Sequence, residues 1–163
     1  MPMPMPRSGP APTPPFRYQA QDAELTLAEG LAEYYAVHPQ ITRPDDLPQE
    51  SADLFRHHDL CHVIFGLDIT LPDEGMADIR TMLGTDVGVR RYMRYLLTNK
   101  EAMAIFEEIG WTKGLLSLIP LTPRILKALW RAPRQKRWPW AVPPAYLGRS
   151  LKELRAEHRI RVF

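Results

Sequence analysis

The sequence has few of the features that mark disulfide-stabilised, membrane-spanning or nucleic-acid-binding proteins. Its single cysteine, Cys61, excludes a disulfide framework within the chain and is compatible with a reducing compartment. No stretch approaches about 18 uninterrupted apolar residues, so no membrane-spanning helix is expected. The formal net charge of +2 is too small to indicate a nucleic-acid partner.

The period-two alternation of a half-buried strand is also missing, and we find no internal repeat. Apolar residues instead recur at spacings of three and four, as on one face of a helix. The length of 163 residues suits one domain with one core. We therefore predict an all-α, single-domain helical bundle of about six to seven helices.

Capping signals predict where these helices begin and end. The Thr26–Glu29 capping box opens a helix that stops near Pro39. Residues 40–50 read as a loop, and the next helix runs from about Ser51 to Phe65, with Gly66 as its C-terminal cap. A short helix is then expected to close at Gly84, and a further helix begins at Val87, restarts or bends at a Thr98–Glu101 capping box and ends at Gly110. Near the C-terminus, Thr122 before Pro123 predicts an N-cap, and a Ser150–Glu153 box opens a last helix.

Residues 1–15 differ in composition from the rest of the chain. They hold seven of the seventeen prolines and only one charged side chain, Arg7. They have neither the apolar core of a secretory signal nor the pattern of an amphipathic transit peptide. We predict a disordered or polyproline-like tail here, followed by one helical domain over residues 16–163.

The most informative feature is a group of polar side chains between residues 58 and 74. On a helix turning about 100° per residue, His62 lies about 40° from His58, and Asp59 lies about 60° from His62. His57 points about 140° away from His62 and is outside this patch. Glu74 follows near the start of the next helix, where a short turn could bring it back onto the patch.

Histidines packed in a core are the alternative to a metal site, since apolar residues share this helical face: Leu54, Phe55, Cys61 and Phe65. Two imidazoles and a carboxylate, however, are costly to bury without a partner. A divalent cation is such a partner, and it prefers neutral histidine and ionised carboxylate. We therefore interpret the patch together with Glu74 as a metal site.

The motif resembles the hallmark of the Coq-four family of ubiquinone (coenzyme Q) biosynthesis proteins, which is H-D-x-x-H, eleven residues, then E. The segment from His58 to Glu74 carries this spacing without a gap. The likeness extends to Val63 and Gly66, and to residues 151–155 (LKELR), which are similar to the family's closing L-x-x-L-R element. Asp73 stands where family members usually have glycine, and many of them are longer.

The resemblance implies that His58, Asp59, His62 and Glu74 hold a zinc-like ion, and that Arg155 occupies the family's basic position, where it is a candidate substrate contact. The family is associated with removing the ring carboxylate of a polyprenylated hydroxybenzoate, with hydroxylation at the same carbon, and with organising other ubiquinone enzymes. Zinc has no redox chemistry whereas hydroxylation needs an oxidant, so iron or cobalt is the alternative ion.

The expected location is the bacterial cytoplasm, peripheral to the inner membrane, with a polyprenylated quinone precursor and other ubiquinone-biosynthesis enzymes as partners; a homodimer is compatible with the chain. A basic and aromatic arm supports contact with a membrane surface: Arg124, Lys127, Arg131, Arg134, Lys136 and Arg137, with Trp130, Trp138 and Trp140 interleaved, after the apolar run of residues 115–121. A buried helix with a solvated face, followed by a surface loop, is the alternative.

Three functions remain open from the sequence. The first is a metal-dependent decarboxylase, for which Arg90, Arg91 and Arg94 are unassigned partners of a substrate carboxylate. The second is a non-catalytic, metal-stabilised scaffold that presents a quinone precursor to other enzymes. The third is an unrelated metallohydrolase, which would need further ligands such as His38 or His158.

Overall fold

The computed structural model describes residues 15–110, 112, 113, 116 and 119–162, apart from the side chain of Phe106. Within this part, seven α-helices have defined bounds and no strand is present, so the predicted all-α bundle is confirmed. The helices are α1 (Leu27–Val37), α2 (Gln49–Phe65), α3 (Leu71–Gly84), α4 (Gly88–Thr98), α5 (Lys100–Ile109), α6 (Thr122–Arg131) and α7 (Leu151–His158). Short 3-10 turns lie at Arg17–Gln19, Pro44–Asp46, Ile119–Leu121, Ala132–Arg134 and Pro144–Tyr146. The predicted proline-rich tail lies outside the described residues, except for Pro15.

Several predicted helix ends are confirmed by their capping contacts. Thr26 and Glu29 form a reciprocal capping box at the start of α1. Gly66 ends α2 in the left-handed conformation, with a φ of 69°, which favours glycine at this position. Ser150 accepts a hydrogen bond from the backbone N–H of Glu153 and caps α7.

Two predicted caps are wrong. Thr98 is the last residue of α4, and its hydroxyl donates to the Arg94 carbonyl 2.8 Å away; Asn99 caps α5 instead, by accepting from the N–H of Ala102 at 2.9 Å. Thr122 is already helical, and its hydroxyl donates to the Ile119 carbonyl in the preceding turn. In both places the threonine hydroxyl donates to a preceding carbonyl and does not accept from a following backbone N–H. Sequence spacing alone does not show which of these two bonds forms.

Helix α2 lies at the centre of the core. It packs against α1, α3 and α7, and its final residues Val63, Ile64 and Phe65 are completely buried. Thr70 caps helix α3, which spans 14 residues, has Glu74 in its first turn and ends at Gly84, as predicted. The turn between α2 and α3 is therefore short, and it brings the start of α3 back beside the histidines of α2.

Large exposed apolar side chains are concentrated between residues 89 and 130. We call this set the apolar stripe: Val89, Met93, Leu97, Ile105, Leu116, Ile119, Leu126, Leu129 and Trp130. Trp138 and Trp140 belong to the buried core instead, so they cannot be part of a lipid-facing arm as the sequence suggested. None of the helices in the described part of the chain has the length and hydrophobicity of a membrane span.

Candidate metal centre

The candidate site is built from one turn of α2 and the first turn of α3. His58 and His62 lie one turn apart on α2, and Glu74 lies in the first turn of α3. Gly66 allows the sharp exit from α2, and Leu67 N–H donates back to the His62 carbonyl at 2.9 Å. The turn thus places a carboxylate from one helix against two imidazoles of the other.

Three potential ligand atoms converge in this site. The Nε2 atoms of His58 and His62 lie 3.0 Å apart. Glu74 Oε2 lies 3.2 Å from Nε2 of His58 and 3.3 Å from Nε2 of His62. Donor atoms around a tetrahedral ion with bonds of about 2.0–2.1 Å are about 3.3 Å from one another. The triangle therefore has the dimensions that a zinc-sized ion requires.

The charges of the site also suit a cation. Burial disfavours a charged His58, yet the hydrogen bond and negative charge of Glu74 outweigh it and raise the pKa of His58 to about 9. The metal-free ring is therefore protonated at neutral pH, and a metal ion would bind by displacing that proton. Burial acts to raise the pKa of Glu74 as well, but the two imidazoles hold it well below the usual range of a glutamate. Glu74 is therefore ionised at neutral pH, which is the form that binds metal.

The site is open on one side. His62 is completely buried, whereas 20 % of the His58 side chain and 38 % of the Glu74 side chain are exposed. The ring of Tyr34 stacks on the inner face of His62, with centroids 5.5 Å apart. A ligand would reach the triangle from the Glu74 side, since the inner side is filled by the core.

Asp59 does not belong to this triangle in the structure. Its Oδ2 accepts a hydrogen bond from the Tyr35 hydroxyl at 2.7 Å, and its side chain is not among the donors that lie within 4.8 Å of one another. Burial, the largest influence, raises the pKa of Asp59 to about 6. The role of Asp59 as a fourth ligand stays a prediction.

The other histidines lie outside the site. His57 points away from the triangle, as its angle on the helix predicted, and its ring packs edge-on against Trp140. His38 pairs with Asp68 at 3.2 Å, and His158 packs against Trp138. None of the three joins the donor group found in the described part of the chain. The extra ligands that a metallohydrolase would need are thus not brought together there.

Arg155 is completely buried, and its donors are used by the backbone. Its guanidinium donates to the carbonyls of Ile64 at 2.9 Å and Val63 at 2.8 Å, at the end of α2, and to those of Tyr18 at 2.6 Å and Ala20. Burial lowers the pKa of Arg155 to about 10. This geometry gives Arg155 a structural role, and it does not favour the substrate contact that the resemblance implied.

Cys61 and the candidate arginines also lie away from the triangle. Cys61 is buried and is not among the converging donors, and burial raises the pKa of its thiol to about 12. Arg90, Arg91 and Arg94 are exposed on α4, and Arg91 donates to the Tyr95 hydroxyl at 2.8 Å. The structure therefore places these arginines on the solvated face of a helix.

Sequence reasoning missed two residues beside the triangle, Asp78 and Tyr92. Asp78 lies one turn after Glu74 on α3, so helical spacing could have placed it on the same face. Tyr92 comes from α4 and touches the site only because α4 packs on α3, a tertiary contact with no local sequence signal.

No protein-family model, curated protein or solved structure matches the chain.

Proposed function

We propose that this protein is a metal-dependent enzyme of ubiquinone biosynthesis that removes the ring carboxylate from a polyprenylated hydroxybenzoate at a membrane surface. The observation that carries the proposal is the triangle of His58, His62 and Glu74, with donor atoms 3.0–3.3 Å apart. The substrate class comes from the resemblance of the motif to the Coq-four family. The site supports the metal, and the motif supports the pathway.

Three protein donors are the number found in catalytic zinc sites, which keep a position for water or substrate. An ion held there would supply Lewis-acid stabilisation of the negative charge that develops as the carboxyl group departs. In this step the ring carbon keeps the electron pair of the broken bond, carbon dioxide leaves, and a proton replaces it. Glu74 and His58 border the open side, so they lie where the substrate would approach.

The ion need not be zinc. Two histidines and one carboxylate with open positions are also the ligand set of non-haem iron(II) oxygenases. Decarboxylation coupled to hydroxylation would consume an oxidant such as dioxygen, and it would need iron or cobalt in place of zinc. The donor set fits both chemistries, and metal analysis separates them.

The apolar stripe supports a membrane surface as the place of action. Leu126, Leu129 and Trp130 of α6 are 60 %, 48 % and 63 % exposed. Residues 124–137 contain six basic side chains and no acidic one. Exposed leucine and tryptophan beside cations suit the boundary between headgroups and acyl chains of anionic lipid. A polyprenylated substrate too apolar to cross water would be reached there.

Replacing Leu126, Leu129 and Trp130 together with glutamine is expected to weaken binding to anionic vesicles at least 10-fold. Burying one such side chain in an apolar phase contributes roughly 1.5–3 kcal/mol, and about 1.4 kcal/mol corresponds to a tenfold change in affinity. Co-sedimentation with vesicles of phosphatidylglycerol and phosphatidylcholine measures this. Leu147→Gln, an exposed leucine outside the stripe, is the matched control. Equal co-sedimentation of the triple variant and the control would refute membrane contact by α6.

The second candidate is a non-catalytic scaffold that holds a quinone precursor for other enzymes. It would follow if Asp59 exchanged its hydrogen bond with Tyr35 for the metal, because a fourth protein ligand would close the coordination sphere. In that case the metal would be structural and the apolar stripe would serve lipid or protein partners. The two candidates differ in what the loss of a single ligand does to the pathway.

Glu74→Gln is expected to stop conversion of the carboxylated precursor while the protein stays folded. The amide keeps the size of the side chain but removes the negative charge that faces both imidazoles. The measurement is the ratio of carboxylated precursor to finished quinone in cells that express the variant in place of the original. Glu108→Gln is the control for loss of one negative charge, because Glu108 is an exposed residue of α5.

Accumulated precursor in the Glu74→Gln cells, with folded protein present and normal quinone in the Glu108→Gln cells, supports chemistry at the metal. Normal quinone in both favours the scaffold. If deleting the whole gene leaves quinone unchanged, the pathway itself is wrong.

A further inference from the structure

His58 has a second hydrogen-bonding partner behind the triangle. Its Nε2 faces His62 and Glu74, and its Nδ1 lies 3.1 Å from the hydroxyl of Tyr92. The Tyr92 hydroxyl in turn donates to Oδ1 of Asp78 at 2.6 Å. A chain of three side chains thus joins α2, α4 and α3, and it ends at one donor atom of the candidate metal site.

The direction of these bonds fixes the tautomer of His58. A phenol has one proton, and the short contact assigns it to Asp78. The Tyr92 oxygen must then accept from His58, which keeps a proton on Nδ1 and makes Nε2 the nitrogen that would give up its proton and bind a metal ion.

The surrounding packing holds this chain in place. Tyr92 is completely buried, and its ring packs edge-on against Trp140 with centroids 5.4 Å apart. Asp78 lies one helical turn after Glu74, so α3 supplies both a ligand and the end of the chain. The phenol cannot turn away without leaving a buried polar atom unpaired, which is costly.

We propose that Tyr92 and Asp78 are positioning residues that orient His58 and hold its Nε2 ready for a divalent cation. This inference rests on the proposed metal site and extends it to α4. Metal-binding histidines commonly donate their second ring N–H to such a partner, and losing it typically lowers metal affinity about 10- to 100-fold. Here the partner is a tyrosine that passes the hydrogen bond on to a carboxylate.

Tyr92→Phe tests the proposal, because it keeps the ring that packs on Trp140 and removes only the hydroxyl. We expect the Kd for Zn²⁺, measured by competition with a chromogenic chelator on the full chain, to rise about 10- to 100-fold. Tyr95→Phe is the matched control: it removes a hydroxyl on the same helix that contacts Arg91 and not the site. We expect Tyr95→Phe to bind Zn²⁺ as the unaltered protein does.

Nitrogen-15 spectra of the zinc-loaded protein give a second readout, which a purely structural role of Tyr92 would not change. In the unaltered protein we expect a slowly exchanging proton on Nδ1 of His58, and in Tyr92→Phe we expect that proton to exchange rapidly. Asp78→Asn keeps an acceptor for the phenol and should weaken Zn²⁺ binding less than Tyr92→Phe does. It carries the test alone if Tyr92→Phe does not fold.

An unchanged Kd in Tyr92→Phe or, if that variant does not fold, in Asp78→Asn overturns the positioning role while leaving the metal site intact. The same holds if Tyr92→Phe and Tyr95→Phe weaken binding equally. If the unaltered protein binds neither Zn²⁺ nor Co²⁺, the proposed metal site and the positioning role fail together.

Discussion

His58→Ala and His62→Ala are each expected to abolish stoichiometric metal binding, whereas His57→Ala retains it. Each of the first two substitutions removes one of the three donors that converge here among the residues the structure describes. Removal of a direct ligand should cost more than the roughly 10- to 100-fold loss that follows removal of an outer hydrogen-bond partner. His57 packs on Trp140 and contributes no donor atom, so it is an internal control of the same residue type.

The measurement is metal content per chain, by elemental analysis, of the three variants purified in parallel without chelator. Circular dichroism of each variant shows whether the helices are intact. Retention of metal by the His58 variant together with its loss from the His57 variant would show that the helical register of the site is wrong.

Arg155→Met is expected to destabilise the fold by about 2–6 kcal/mol, because each buried carbonyl that loses its donor costs about 1–3 kcal/mol. Methionine fills much of the volume but removes the guanidinium from four backbone carbonyls, those of Tyr18, Ala20, Val63 and Ile64. The carbonyls of Ala20 and Val63 still accept from the N–H groups of Ala23 and Gly66, so the loss falls on those of Tyr18 and Ile64. The carbonyls of Val63 and Ile64 belong to the last turn of α2, where a positive charge also interacts favourably with the helix dipole. The loss should loosen the end of α2, one turn from His62.

Urea denaturation followed by circular dichroism measures this effect. Lys152→Met is the matched control, because Lys152 lies on α7 as well but is exposed and pairs with Glu24 at the surface. We expect little change in the control. Equal unfolding midpoints for the two variants would refute a structural role for Arg155 and return it to the candidates for substrate contact.

The fold was largely predictable because its signals are local. The Thr26–Glu29 box and the left-handed Gly66 act within one helix end, and both are where the sequence placed them. The caps at Thr98 and Thr122 were predicted wrongly, because a threonine hydroxyl can donate to a preceding carbonyl as easily as it can accept from a following backbone N–H. Local patterns therefore predicted how many helices form better than which side chain caps them.

The site residues that lie close together in the sequence were predicted, and those brought in by tertiary packing were not. His58 and His62 follow from helical spacing alone, and Glu74 follows from a short turn between two helices. Tyr92 could not be predicted, because its position depends on how α4 packs against α3. Arg155 was placed by its position in a motif, and only the tertiary structure shows that its guanidinium faces carbonyls of the core.

The exposed tryptophan illustrates the same limit. The sequence grouped Trp130 with Trp138 and Trp140, since all three follow one another among basic residues. In the structure Trp130 is 63 % exposed, whereas the other two are buried. Composition indicated that this segment contains an exposed surface. Which of its tryptophans is exposed depends on how each part of the segment packs against the core.

The most direct test of a metal centre at His58, His62 and Glu74 is the metal content and X-ray absorption spectrum of the unaltered protein, purified without chelator and then offered Zn²⁺. We predict one first-row divalent ion per chain, with two imidazole nitrogens and oxygen ligands at about 2.0–2.2 Å. A protein that holds no ion under these conditions, or an ion without imidazole ligands, would contradict the proposed metal centre.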